Sequence, residues 1–170
     1  MTTLSRIREQ AIRPALALLP ARMSGQQAEV LLLAIGLQES LLIHQRQIRG
    51  PARGLWQFEQ GGGTAGVLSH PQTRDLADHV CRARGVTPTP AALQEALAGE
   101  DDVLDAALAR LLMWTDRPPL PALQDVEGGW QLYLRTWRPG AYTRGTPDQR
   151  AELRAKWGRN YAAALREVLP

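Results

Sequence analysis

Ala28-Glu-Val-Leu-Leu-Leu-Ala-Ile-Gly-Leu-Gln38-Glu39-Ser40 decides the class of this chain. Eleven residues with one charge among them predict a helix that is apolar on nearly every side, and such a helix belongs in the middle of a domain. A carboxylate and a hydroxyl stand at its far end. Upstream, Ser24-Gly25-Gln26-Gln27 has capping-box spacing, which predicts that the Ser24 hydroxyl starts the helix.

Downstream, residues 43–70 lose helical periodicity and carry Gly50, Gly54, Gly61, Gly62, Gly63 and Gly66. This predicts a loop-rich or small β segment, the kind of region in which binding residues concentrate. Helical signals return at about 71–84, 90–98 and 101–115, with Thr89-Pro90 reading as a cap and a first-turn proline. Trp130 to Trp137 has helical spacing. Thr146-Pro-Asp-Gln149 forms a second capping box, and Leu153, Trp157, Tyr161 and Leu165 then repeat every four residues. Residues 3–19 are weakly amphipathic, and Pro14 predicts a kink or break.

The expected fold is therefore mainly α and a single domain over 1–170. Residues 1–23 would form an N-terminal helical extension, 28–70 the central helix and its loop, and 71–170 a helical body. A chain of 170 residues is long enough to bury a real core. No run approaches a membrane span, and prolines at 14 and 20 bound the only early apolar stretch, so neither membrane insertion nor a signal peptide is expected. Cys81 is the single cysteine, which excludes an intramolecular disulfide and a cysteine-rich zinc site. His44, His70 and His79 share no metal-ligand spacing, and no metal or cofactor is expected. The net charge of +3, carried almost wholly by arginine, suits anionic partners. No nucleic-acid motif accompanies it, and no nucleic acid is expected as a partner.

Glu39 and the loop Gly54-Leu55-Trp56-Gln57 carry the functional reading. Cleaving a glycosidic bond requires protonating the leaving oxygen, and the acid that does so must keep its proton near neutral pH. Burial against Val30, Leu31, Ile35 and Leu42, and the negative end of the helix dipole, would both raise the pKa of Glu39. In the loop, Gly54 permits close approach of the backbone to a ligand. Trp56 offers a flat face for a sugar ring, and Gln57 a donor and an acceptor for its hydroxyl or acetamido groups.

Ala34-Ile-Gly-Leu-Gln-Glu39-Ser40 followed by Gly50-Pro-Ala-Arg-Gly54-Leu-Trp-Gln57 resembles the core of the lytic transglycosylases, a family of the lysozyme-like superfamily. The resemblance covers about residues 28–70. It implies a lysozyme-like fold, Glu39 as catalytic acid/base, and Ser40 and Gln57 lining a cleft for the glycan strands of peptidoglycan. The chain departs from the pattern in two places. Gly50-Pro51 stands where the family usually has Ser before Gly-Ala, and Phe58-Glu59-Gln60 stands where a Met-Pro is usual. The family's Ala-Tyr-Asn-Ala-Gly element has only Ala141-Tyr142-Thr143 as a counterpart, which offers Tyr142 near the acid and no Asn.

In that family one Glu protonates the leaving oxygen and then deprotonates the muramic 6-hydroxyl, giving a 1,6-anhydro sugar from the MurNAc-GlcNAc β-1,4 bond. An inverting hydrolase needs a second carboxylate to activate water. Glu59 is the only other carboxylate between Glu39 and Asp75, and it reads either as that base or as a loop partner of Arg53 or Arg49. A third reading is a non-catalytic phage virion or assembly protein on a lysozyme-like scaffold. Taken with the resemblance, the lack of a signal peptide implies a phage protein, held in the virion or in the host cytoplasm before release to the periplasm. Other virion proteins are then its expected neighbours.

Overall fold

Pro14 does not break the first helix; it widens it. The computed structural model describes Thr2–Leu169. It begins with α1 (Thr3–Ile7) and α2 (Arg13–Ala17), joined without interruption by a π turn over Arg8–Ile12. Within that turn the Arg13 amide reaches back five residues to the Arg8 carbonyl. A proline ring crowds the carbonyl four residues before it and supplies no amide, and the looser turn absorbs both defects. Ile7, Ala11, Ile12, Ala15 and Leu16 are buried, so these residues form part of the core rather than an appended arm.

The central helix, α3 (Gln26–Ser40), is buried along most of its length from Ala28 to Ser40. Its start corrects the sequence reading. Gly25, at φ 130°, is the cap, with no side-chain capping bond, and the Ser24 hydroxyl donates instead to the Leu16 carbonyl at 3.5 Å. That backbone conformation is one an L residue rarely adopts, and it moves the helix start one residue past the serine. At the other end Leu41 and Leu42 both take positive φ, and the Leu42 amide closes on the Gly36 carbonyl at 3.3 Å. Two non-glycine residues in this region cost on the order of 1 kcal/mol each. Burial of the Leu42 side chain over Gly36 offsets part of that cost: a Cβ at Gly36 would stand 2.2 Å from Leu42 Cδ2.

Residues 41–59 form the expected loop. It contains two isolated antiparallel bridges, Arg46 to Arg53 and Arg53 to Phe58, and no named strand. The loop ends earlier than its composition predicts. Gln60–Thr64 makes a second wide turn and leads directly into α4 (Ala65–Ser69). Three consecutive glycines there carry no apolar period, so the helical turn leaves no sequence signal.

Helices α5 (Arg74–Ala83), α6 (Pro90–Ala98), α7 (Asp102–Trp114), α8 (Val126–Trp137), α9 (Gly140–Thr143) and α10 (Pro147–Val168) complete a mainly helical single domain. The Thr89 hydroxyl accepts from the Ala92 amide, and Pro90 follows it as expected. Both halves of the second capping box are made, between Thr146 and Gln149. Trp157 and Tyr161 are buried and help seat α10 against α3, and α7 also packs on the central helix. Among the described residues no helix is long and apolar enough to cross a membrane.

Candidate active site

Glu39 lies at the end of α3, half-buried, on the wall of a cleft of ≈ 780 Å³. Its carboxyl is pushed up to about 7, because burial removes the water that would solvate the anion. Two influences oppose that rise and are outweighed by it: a hydrogen bond from Tyr133 and the positive charge of Lys156. Near neutral pH the group is divided between its protonated and ionised forms, the condition for giving and then taking a proton.

Tyr133 is the partner the sequence reading missed. Its hydroxyl donates to Glu39 Oε1 at 2.6 Å, and desolvation together with the nearby carboxylate pushes its own pKa up. The ring is fixed by aromatic packing, stacked on Trp157 with centroids 5.4 Å apart and on Trp137 at 6.4 Å. Trp130, Tyr133 and Trp137 stand at i, i+3 and i+7 on α8, one face of the helix. That spacing was visible in the sequence; its register against Glu39 was not. Tyr142, proposed for this position, is elsewhere. It packs edge-on to Trp130 at 5.3 Å beneath the Arg150 guanidinium and is not among the cleft-lining residues.

The loop residues divide in a way the sequence did not predict. Trp56 has no exposed surface, and its indole N–H donates to the Leu32 carbonyl at 2.8 Å. It is a core residue and presents no face to a ligand. Trp137 takes the aromatic place in the cleft: it is partly exposed, lines the cavity beside Phe58 and donates its indole N–H to the Trp56 carbonyl at 2.9 Å. Ser40 likewise turns inward. Its hydroxyl donates to the Leu55 carbonyl at 2.6 Å and accepts from the Leu42 amide at 3.1 Å, tying the end of α3 to the loop. It positions the site without lining it.

Gln57 and Glu59 do reach the cleft. The Gln57 side-chain amide donates to the Gly54 carbonyl at 2.8 Å, and its backbone holds a positive φ of 55°. Glu59 is exposed. Neither Arg49 nor Arg53 pairs with it; the Arg53 guanidinium caps the Gly50 and Ala52 carbonyls at 2.9 and 2.8 Å instead. The structural role offered for Glu59 therefore has no contact behind it.

Asp105, from α7, is a second residue the sequence reading passed over. It is fully buried, and Oδ2 accepts from the backbone amides of Leu55 and Trp56. Burial drives its pKa well above the usual carboxylate range, against the pull of those two amides. A lone acid inside Val103-Leu104-Asp105-Ala106-Ala107 is itself a signal, since a buried polar group must find a partner. Here the partner is the loop that faces Glu39.

No family model matches the chain, and no curated protein or solved structure matches it. Among the described residues no group of three or more His, Cys, Asp or Glu is placed to hold a metal. The cleft thus sets the titratable carboxyl of Glu39 among polar and aromatic groups.

The Tyr133 hydrogen bond favours the Glu39 anion, so Tyr133→Phe should raise the Glu39 pKa further. The high-pH limb of any Glu39-dependent activity should then shift toward higher pH. A pH–rate profile checks this, and a limb that stays put or moves down would detach the tyrosine from the acid.

Proposed function

We propose that this protein cleaves the β-1,4 glycosidic bond of peptidoglycan glycan strands as a lytic transglycosylase, with Glu39 as the single acid/base. The observation that carries the reading is a carboxyl poised near pH 7 on the wall of an open cleft. Gln57 and Thr136 offer hydrogen bonds along that cleft, and Trp137 offers an apolar face. Protonated Glu39 gives its proton to the bridging oxygen as the bond from that oxygen to the anomeric carbon breaks. The resulting carboxylate takes the proton of the 6-hydroxyl as that oxygen bonds to the anomeric carbon, closing the 1,6-anhydro ring. Atoms and charge balance without water, and Glu39 ends protonated for the next cycle.

Glu59 supports a second reading. It lines the same cavity and makes no ion pair among the described residues, which suits a base that activates water in a lysozyme-type hydrolase. Mass spectrometry of fragments from digested peptidoglycan separates the two. Anhydro-ended fragments are expected, lighter by one water than reducing-end fragments. Reducing ends that disappear in Glu59→Gln would transfer the assignment to hydrolysis, and intact glycan under all conditions would leave a binding scaffold.

A further inference from the structure

A second cavity of ≈ 440 Å³ adjoins α9, sharing Gly140, Ala141 and Leu153 with the cleft. Arg144, Lys156 and Arg159 line it, together with one carboxylate, Glu152. Among the described residues, neither Arg144 nor Arg159 makes an ion pair or donates a side-chain hydrogen bond. Glu152 pairs with neither of them. Elsewhere on the surface an arginine beside a carboxylate can close on it, as Arg154 does on Glu127 at 3.0 Å and Arg135 on Asp116 at 2.8 Å. Lys156 spends one donor on the Gln38 carbonyl at 2.7 Å, next to Glu39, and has two more. Gly140 matters to the shape of the cavity: the Arg144 guanidinium folds so close over it that a Cβ would stand 2.4 Å from a guanidinium nitrogen.

We propose that this cavity binds a short acidic peptide, the carboxylate-bearing branch of the polymer whose backbone lies in the cleft. Two guanidinium forks and an ammonium supply donors for carboxylate oxygens. Glu152 distinguishes a peptide from a simple oxyanion: it repels a polyanion but accepts from the amino or amide N–H groups that a peptide carries beside its carboxylates. The shared rim at Gly140–Ala141 allows one branched molecule to occupy both cavities. The last step rests on the proposed function; the affinity for acidic peptide does not.

Calorimetric titration tests the site apart from catalysis. The probes are a synthetic tripeptide with a free amine, a side-chain carboxylate and a C-terminal carboxylate, the same peptide with both carboxylates amidated, and inorganic phosphate. Binding of the acidic peptide is expected, weakened roughly tenfold or more both by amidation and by the double variant Arg144→Gln/Arg159→Gln. Both arginines are exposed, and circular dichroism establishes that the variant is folded. No binding of the acidic peptide, equal binding to the double variant, or phosphate binding as tight as the peptide would each overturn the proposal. Peptide binding by a protein that leaves glycan uncut would sink the proposed function and keep this site.

Discussion

Glu39→Gln is expected to abolish glycan cleavage, by about 10²–10⁴-fold, and at the same time to make the protein more stable above neutral pH. The second effect follows from the first group's titration. In the folded chain the carboxyl titrates at about 7, against an ordinary value of 4.5, so the folded state binds the proton more tightly. Stability from this source is full below pH 4.5 and is lost as pH rises toward 7 and beyond. Glutamine keeps the shape and an oxygen to accept from Tyr133, and it has no charge to desolvate. The variant should gain on the order of 2–3 kcal/mol over wild type at pH 8 and nothing at pH 4. Thermal melts at both pH values check this. Parallel curves across the range would mean that Glu39 is an ordinary solvated carboxylate and would remove the physical basis of the proposed acid.

The second large effect is expected at Gly54. Its φ of 78° lies in the left-handed region, and a Cβ would meet the Asp105 carboxylate at 2.2, 2.6 and 2.9 Å. That carboxylate cannot retreat without leaving the Leu55 and Trp56 amides unpaired in the core. Gly54→Ala therefore combines backbone strain, overpacking and lost hydrogen bonds, a total of about 3 kcal/mol or more. Gly66→Ala is the matched control, since it lies in α4 with nothing within 4 Å of its would-be Cβ, and there alanine should be neutral or mildly stabilising. Urea midpoints for the two variants give the comparison. A Gly54→Ala protein as stable as the control would mean that the loop is not held by Asp105.

What the sequence made legible was local. Thr89-Pro90 and Thr146 to Gln149 announce their helices because a cap is a contact over three residues, and both are made. The burial of α3 was legible from its unbroken apolar run. Placing Glu39 on a cleft wall required only that the run end in a carboxylate beside a loop. The errors in the site concern which neighbour a side chain meets across the fold. Trp56 faces inward because the Leu32 carbonyl and the space over Gly36 receive it, and nothing in Gly54-Leu55-Trp56-Gln57 records that. Tyr133 stands 94 residues from Glu39, and only the docking of α8 brings them together. The Ser24 cap failed for a local reason, the backbone freedom of the glycine beside it, which overrides a good motif.

Tyr133 and Trp137 are four residues apart on α8, and each holds a different part of the cleft: one touches the acid, the other the backbone of the facing loop. Their separation along the axis is about 6 Å, a little more than one helical turn. The helix thus works as a ruler whose two marks must align at once. Inserting or deleting one residue between them would swing one mark about 100° around the axis. The two grips can therefore be lengthened, tilted or released only together.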